Sequence, residues 1–414
     1  MKKIIAIIGG GPAGMMAAGR AGELGARVIL LEKNSELGIK LLATGNGRCN
    51  LSNYVDSARD LVKRFGKNGN FLFSALHKFG VQETLEFFSH RGLLMKVEKD
   101  NRVFPKSERA HDVLQVLVQY LDKGKVEIKK NSAVRKIVAG ENKIEKIILN
   151  NGEEIIADTY IFAVGGKSYP ATGSTGDGFA WLKSLGHSVV KPRPVLGPIV
   201  LRDKFVKALE GLSLKDVEIG VYKNDKKVCS TNGDAIFTFD GLSGPAIFDI
   251  SRAIDFSIDD ELELRIDFFA KLDLKKFDIY LQKIFSENNN RLLRNVLATL
   301  VPTRLAEVLE NTFQLDGDKK INTVSKEERL KIAGLLKSLS FQIRGIAGFE
   351  RAMVTAGGVS LNEVDPKTLK SKLIDNLYFA GEILDLDGPT GGFNLQACWT
   401  TGFVAGESAT LEKF

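Results

Sequence analysis

Short apolar runs and a helical pattern alternate at the start of the chain. Residues 3–8 (KIIAII) and 27–32 (RVILLE) are short apolar runs typical of buried strands. Between them, residues 12–24 place small side chains on one side of a predicted helix. A strand, a helix and a second strand in this order predict a βαβ unit with parallel strands. The chain therefore begins as a Rossmann-like α/β domain begins.

The pattern changes in the middle of the chain. Residues 70–123 are rich in helical spacing, whereas residues 125–165 hold four strand-like runs separated by turns, which predict a β-meander. The last run, residues 160–166 (YIFAVGG), predicts a return to the main sheet. Residues 191–198 (KPRPVLGP) hold the densest proline cluster and predict a linker.

A second module is predicted beyond this linker. Strand patterns extend to about residue 270, and a helical block follows at about 271–315. We therefore predict an α/β fold in which a Rossmann-like domain with a β-meander occupies residues 1–195 and 341–414. Residues 196–340 are predicted to form an inserted β-rich domain that carries a helical subdomain.

Composition and charge narrow the classes of function. The 414 residues are 44% hydrophobic and 26% charged, and 58 basic against 51 acidic side chains give a net charge of +7. Because the basic residues are scattered, no nucleic-acid partner is expected. The four histidines are dispersed, so no metal site is predicted. No stretch approaches the roughly 18 apolar residues of a membrane helix, and three widely spaced cysteines favour a reducing cytoplasm.

The first candidate site is a glycine-rich turn. Residues 9–14 have the pattern G-x-G-x-x-G directly between the first strand and the helix. Gly9 permits the tight turn, Gly11 lets a diphosphate approach the backbone, and Gly14 allows the helix to pack closely on the strand. Pro12 and Ala13 begin the helix, whose free N–H groups favour an anionic diphosphate.

Glu32 and the segment after it indicate which dinucleotide is bound. Glu32 ends the second strand, where it can accept both ribose hydroxyl protons of an adenosine and disfavours a 2′-phosphate. FAD and NAD fit this position. The chain then continues with residues 33–53 (KNSELGIKLLATGNGRCNLSN) instead of a second crossover helix. Such a loop can wrap N–H and guanidinium groups around a flavin, although a glycine-bearing surface loop is the alternative. We predict FAD.

The end of the chain provides a second half of the site. Residues 376–384 (NLYFAGEIL) resemble the closing strand of flavin domains, and this resemblance implies that Gly381 and Glu382 meet the ribityl chain. Residues 389–396 (PTGGFNLQ) begin the last helix, and its N-terminal N–H groups would face the flavin N1–C2=O edge. Gly165 marks the end of another strand, which resembles the one by which such flavoproteins return to the sheet near the cofactor.

These motifs resemble the HI0933-like FAD-dependent flavoproteins over nearly the whole chain. Besides the glycine fingerprint with Glu32, the matching segments are Gly38–Asn50, Gly241–Ala246 (GLSGPA), Val354–Val359 (VTAGGV) and Ala380–Gln396. The resemblance implies hydride transfer to or from flavin N5, with enone reduction or amine oxidation as the reaction on a small organic substrate. NAD(P)H is then a candidate transient donor, and the insertion at 196–340 becomes a substrate-capping domain.

The resemblance also implies a backbone contact from Val134 to the adenine. No catalytic acid or base is identified. An RNA-modifying flavoprotein and a redox-silent flavin-binding protein are the alternative functions. The candidate FAD-binding residues are Gly9, Gly11, Pro12, Ala13, Gly14, Glu32, Lys33, Lys40, Leu41, Thr44, Gly45, Asn46, Gly47, Arg48, Cys49, Asn50, Val134, Gly165, Gly381, Glu382, Gly392, Asn394, Leu395 and Gln396.

Three further motifs are interpreted as inactive. Residues 173–178 (GSTGDG) resemble a dinucleotide turn, but a proline-containing loop precedes them, so a second Rossmann site is not predicted. Residues 241–245 (GLSGP) lack the spacing of a nucleophile elbow, which argues against a hydrolase. Cys49 has no C-x-x-C partner and is predicted to line the flavin pocket without redox chemistry.

Overall fold

A computed structural model describes residues 2–55, 57–254 and 261–412. The chain forms two compact units: one runs to Pro194 and resumes at Phe349, and the other spans Val195–Gly348. In the part of the chain that is described, no helix combines the length and apolarity needed to cross a membrane.

The described residues form nineteen strands, numbered in chain order. They are β1 (Ile4–Ile8), β2 (Arg27–Leu31), β3 (Ser52–Asn53), β4 (Met95–Val97), β5 (Arg102–Pro105), β6 (Glu127–Lys129), β7 (Val134–Ala139), β8 (Ile144–Leu149), β9 (Glu154–Ile155), β10 (Thr159–Phe162), β11 (Val189–Val195), β12 (Ile199–Leu201), β13 (Ser213–Lys223), β14 (Lys226–Thr238), β15 (Gly241–Ser243), β16 (Leu262–Asp267), β17 (Leu339–Ile346), β18 (Val354–Val359) and β19 (Leu377–Phe379).

The α-helices follow in the same order. They are α1 (Pro12–Glu23), α2 (Ile39–Ala43), α3 (Ala58–Arg64), α4 (Phe73–Lys78), α5 (Val81–Ser89), α6 (Ala110–Lys123), α7 (Asp177–Ser184), α8 (Pro245–Ala253), α9 (Leu274–Glu287), α10 (Leu293–Leu300), α11 (Thr303–Phe313), α12 (Lys326–Lys337) and α13 (Phe393–Leu411).

A five-stranded parallel sheet forms the centre of the first unit. Its order is β19-β10-β1-β2-β6, and each of these pairs is parallel. The near-continuous apolar sequences of β1 and β2 suit strands that are covered on both faces. Because all five strands run in the same direction, their carboxyl ends lie along one edge of the sheet, where open α/β sheets bind ligands.

Helices α1 and α13 pack against each other at unusually short range. A Cβ atom added to Gly402 would lie 2.4 Å from the Ala13 carbonyl oxygen, and one added to Gly406 would lie 2.3 Å from the Ala17 carbonyl oxygen. Real Cβ atoms do not approach backbone atoms this closely, so these two positions require glycine. This packing places the middle of α13, at Gly402, beside the amino end of α1 at Ala13.

The predicted β-meander is smaller than the four strand-like runs indicated. Strands β7, β8 and β9 form an antiparallel three-stranded sheet. The first and last of the predicted runs are β6 and β10, which pair within the parallel sheet instead. Periodicity identified β6, β7, β8 and β10 but not the two-residue β9, and it could not assign strand partners because pairing is decided by long-range packing.

The second unit is a closed barrel with helices. Its strand order is β12-β15-β14-β13-β16-β17, with antiparallel pairing throughout. Helices α9–α11 occupy the predicted helical block. Strand β17 pairs with both β12 and β16, so the predicted boundary between residues 340 and 341 divides a barrel strand. The barrel therefore extends to Gly348.

Candidate functional site

A large cavity lies at the carboxyl edge of the parallel sheet, entirely within the first unit. Its empty volume is about 1460 Å³, open solvent included. Residues at or just beyond the carboxyl ends of all five strands line it. With strands about 4.8 Å apart, the lining extends across roughly 19 Å of the sheet. A long, extended ligand fits these dimensions.

The three fingerprint glycines have different surroundings. Gly9 has φ +106° and an added Cβ would lie 2.4 Å from the Ala163 carbonyl oxygen, while a Cβ on Gly14 would lie 1.8 Å from the Gly9 carbonyl oxygen. Both are therefore required by the fold. Gly11 lines the cavity, and no described protein atom lies within 4 Å of its added Cβ. Packing within the protein does not explain this glycine, whereas close approach of a ligand to the backbone does.

Glu32 is buried at the end of β2, and it lines the cavity. Its Oε2 accepts a hydrogen bond from the Gly10 N–H and its Oε1 accepts one from the Asn34 N–H, each at 2.8 Å. A carboxylate has about four acceptor sites, so two remain for a ligand. Glu32 thus holds the glycine turn against β2 and presents an anionic acceptor to the cavity.

The opposite part of the cavity carries an ion pair. Lys40 Nζ on α2 donates to Glu382 Oε2 at 2.7 Å, and Glu382 Oε1 accepts the Thr355 N–H at 2.7 Å. Both side chains are largely buried and line the cavity. Asn394 lines it as well, and its side chain bonds to the Gly388 N–H and carbonyl oxygen, which fixes the loop before α13.

Fifteen of the candidate residues line the cavity. They are Gly9, Gly11, Pro12, Ala13, Glu32, Lys33, Lys40, Leu41, Thr44, Val134, Gly165, Gly381, Glu382, Asn394 and Leu395. The structure brings these positions together from seven separate segments of the chain.

The remaining candidates are not among the residues that line the cavity. They are Gly14, Gly45, Asn46, Gly47, Arg48, Cys49, Asn50, Gly392 and Gln396. Of the TGNGRCN segment, Thr44 alone lines the cavity, and Gly45, Asn46 and Gly47 are exposed to solvent.

Specific contacts explain why these side chains are elsewhere. The Arg48 guanidinium pairs with Glu98 at 2.5 Å and lies 4.1 Å over the Phe104 ring. Cys49 is fully buried, and burial raises the pKa of its thiol to about 12. Gln396 is also buried, where its amide accepts from Ser52 and donates to Thr84. We predicted that Cys49 lines the pocket, but Cys49 is not among the lining residues and belongs to the hydrophobic core of the first unit.

Several lining residues were not predicted from the sequence. They include Asn34, Ser132, Ala133, Thr172, Gly173, Ser174, Thr175, Asp177, Trp181, Met353, Val354, Leu386, Cys398 and Thr401. Cys398 and Thr401 follow Asn394 at helical spacing on α13, so periodicity could have found them. Burial, together with the nearby Glu382 carboxylate, raises the pKa of the Cys398 thiol to about 12, which keeps it protonated at neutral pH.

Comparisons with known proteins agree with this architecture. A family model described as the HI0933-like protein Rossmann domain matches residues 3–408. The 3-dehydro-bile acid delta(4,6)-reductase of Clostridium scindens is 34% identical over 414 residues, with 98% of each chain covered. A ribosomal RNA dihydrouridine synthase of Escherichia coli is 28% identical over 411 residues, again with 98% of each chain covered.

A solved structure shows the same fold. The 3-ketosteroid-delta4-(5alpha)-dehydrogenase from Rhodococcus jostii RHA1 has a TM-score of 0.51 and 15% identity, with 99% of this chain and 97% of that chain covered. The predicted Rossmann-type FAD-binding fold with an inserted β-rich domain is thereby confirmed.

Proposed function

The chain belongs to the HI0933-like family and is an FAD-dependent oxidoreductase, and from this premise we propose that it reduces carbon–carbon double bonds conjugated to a carbonyl group. The family resemblance noted in the sequence is thereby confirmed. The cavity that crosses the carboxyl ends of all five parallel strands is the observation that carries the proposal, because its length and its Gly11 and Glu32 suit an extended dinucleotide.

The names of the two relatives describe the same type of bond change. The Clostridium scindens relative is named for reduction of delta(4,6) double bonds of a 3-dehydro bile acid, and the Escherichia coli relative for making dihydrouridine. In each case a double bond conjugated to a carbonyl group becomes saturated. Such a reduction requires a hydride at the β-carbon and a proton at the α-carbon. Neither name describes an amine, which favours enone reduction over amine oxidation for this chain.

The residues of the cavity have separable tasks in this reaction. FAD, when bound, supplies the hydride chemistry, and the protein supplies position and electrostatics. The Gly9–Ala13 turn and the start of α1 would hold the diphosphate, and Glu32 would hold the adenosine ribose. Lys40, oriented by Glu382, would place a fixed positive charge at the far end of the cavity. Val354 and Leu386, both buried, would add apolar wall that excludes water.

An anaerobic acceptor screen tests the proposed reaction. The flavin is first photoreduced, and the reduced enzyme is mixed with cyclic enones, including 3-oxo-Δ4 steroids, while the oxidised flavin band is recorded. We expect reoxidation by enones and a product two mass units heavier. In parallel, oxidised enzyme is mixed with primary and secondary amines. Flavin reduction by amines without reoxidation by any enone would contradict the proposal, and NADH and NADPH are compared as donors in the same apparatus.

A second candidate substrate is a uridine within RNA, and the distribution of charge favours it. The unit that carries the cavity has 35 basic and 28 acidic residues, whereas the barrel has 23 of each. Residues 57–78 of that unit carry five exposed cations. The same segment contacts the loop before α13, because Asn68 Nδ2 donates a hydrogen bond to the Asp385 carboxylate at 2.9 Å.

The RNA alternative is tested with the same reduced enzyme. A ribosomal RNA transcript is added in place of the enone, and dihydrouridine is measured after nuclease digestion. If RNA reoxidises the flavin and enones do not, the substrate is a nucleic acid. The variant Arg59→Glu, at an exposed cation with no ion pair among the described residues, would then weaken RNA binding and leave FAD binding unchanged.

Removal of the Glu32 carboxylate is predicted to weaken FAD binding. In Glu32→Ala the ribose loses its charged acceptor and two buried N–H groups lose their partner. We expect a loss of about 1.5–3 kcal/mol, or roughly 10- to 150-fold in Kd. FAD titration of the apoprotein by fluorescence quenching measures this change. Glu36→Gln is the matched control, because Glu36 is exposed on the same loop. An unchanged Kd in Glu32→Ala would contradict the assignment.

A further inference from the structure

The loop that contains the GSTGDG motif reaches across the cavity. We call residues 172–177 the strap. The Lys33 Nζ donates to Thr175 Oγ1 at 2.6 Å and to Asp177 Oδ2 at 3.0 Å. The Asn34 Nδ2 donates to the Thr172 carbonyl oxygen at 3.1 Å. Three hydrogen bonds therefore join the strap to the segment just after β2.

The sheet topology determines what these hydrogen bonds pass over. The strap follows β10, Lys33 and Asn34 follow β2, and β1 lies between those two strands. A bridge between the carboxyl ends of the outer pair must cross the carboxyl end of β1. The Gly9–Ala13 turn begins there, and residues of the turn, the strap and the β2 end all line the same cavity.

Two glycines with positive φ shape the backbone of the strap. Gly173 has φ +103°, and an added Cβ would lie 2.5 Å from Asn34 Nδ2, so a side chain at this position would break the Asn34 contact. Gly176 has φ +85° and is the N-cap of α7. Ser174, between them, is buried and lines the cavity. The two glycines therefore flank Ser174, whose Oγ would lie 3.0 Å from a Cβ added to Gly165 at the end of the β10 segment.

The charges of the bridge are consistent with a stable contact. Asp177 accepts from both Thr175 Oγ1, at 2.6 Å, and Lys33. Burial opposes ionisation of Asp177, but these two hydrogen bonds outweigh it and lower the pKa of its carboxyl group. Asp177 is therefore a carboxylate at neutral pH, and it pairs with the Lys33 ammonium.

We propose that the strap closes over the diphosphate of bound FAD, with Lys33, Thr175 and Asp177 as a latch that sets the rate of cofactor release. The inference rests on the proposed FAD site. It gives the GSTGDG motif a role as the outer wall of one dinucleotide site. Glu32 and Gly11 then govern whether FAD fits, and the latch governs how long it stays.

Release kinetics of the holoenzyme test the latch. Wild type, Lys33→Met, Asp177→Asn and the double variant are loaded with FAD and diluted, and free FAD is followed by its fluorescence. We expect each single variant to release FAD about tenfold faster, as for the loss of one or two charge-assisted hydrogen bonds. The double variant should release FAD no faster than the faster single variant, because both changes remove the same contact.

Two controls separate the latch from other effects. Lys130→Met removes a neighbouring ion pair, Lys130 with Glu36 at 3.2 Å, that does not involve the strap, and it should release FAD at the wild-type rate. Thr175→Val removes two hydrogen bonds, one from Lys33 and one to Asp177, with little change of shape, and it keeps the test available if an Asp177 variant folds poorly. It should accelerate release severalfold.

The outcomes distinguish this inference from the proposed function. A wild-type protein that neither retains nor takes up FAD would overturn the FAD site itself. If wild type binds FAD but the latch variants release it within twofold of the wild-type rate, the latch is refuted and the FAD site stands. Additive acceleration in the double variant would also refute a shared latch, because Lys33 and Asp177 would then act independently.

Discussion

Gly11→Val is expected to abolish FAD binding and to leave the apoprotein folded. Gly11 has φ −80° and an extended ψ, which valine adopts readily, and no described protein atom lies within 4 Å of its added Cβ. The new side chain would instead occupy the cavity at the turn where the diphosphate is proposed to lie. Because the obstruction affects the ligand alone, we expect affinity to fall by more than about 100-fold, or over 2.7 kcal/mol.

The measurement combines FAD titration with thermal unfolding of the apoprotein. Gly334→Val on α12 is a matched control, since its added Cβ also meets no described atom within 4 Å and the residue lies in the barrel. Gly14→Ala is the opposite control, because its Cβ would lie 1.8 Å from the Gly9 carbonyl oxygen and should destabilise the fold itself. Wild-type affinity in Gly11→Val would place the dinucleotide elsewhere.

Removal of the barrel is expected to leave a folded unit that binds FAD and to eliminate substrate turnover. All residues that line the cavity belong to the first unit, and the barrel has its own apolar core. The ends of the insertion are adjacent, because the Ala347 N–H donates to the Pro198 carbonyl oxygen at 2.8 Å. A short Gly/Ser linker can therefore replace residues 199–346.

Two readings check this deletion. The bound-flavin spectrum and the FAD Kd should stay close to those of the intact chain. Turnover of the best enone found in the acceptor screen should fall by at least about 100-fold, as expected if the insertion caps the substrate. Loss of FAD from the truncated protein would show that the barrel contributes to the cofactor site, whereas retained turnover would remove its predicted capping role.

The sequence by itself determined the parts of this protein that depend on neighbouring residues. The apolar runs of β1 and β2, the glycines at 9, 11 and 14, and the acid that ends β2 all lie within one βαβ unit. Their meaning is local, because a tight turn, a helix start and a strand end are set by residues a few positions apart. The same reasoning identified the start of α13.

Only the tertiary structure decided which of the other motifs face the cavity. The Arg48 side chain pairs with Glu98, 50 positions later in the chain. The Gln396 amide accepts a hydrogen bond from Ser52, 344 positions earlier. The GSTGDG segment, set aside in the sequence, reaches the cavity because β10 and β2 flank β1 and Lys33 bonds across the gap. Likewise β17 joins the barrel through pairing with β12, far away in the chain. Such contacts depend on strand order and long-range packing, which a local pattern does not encode.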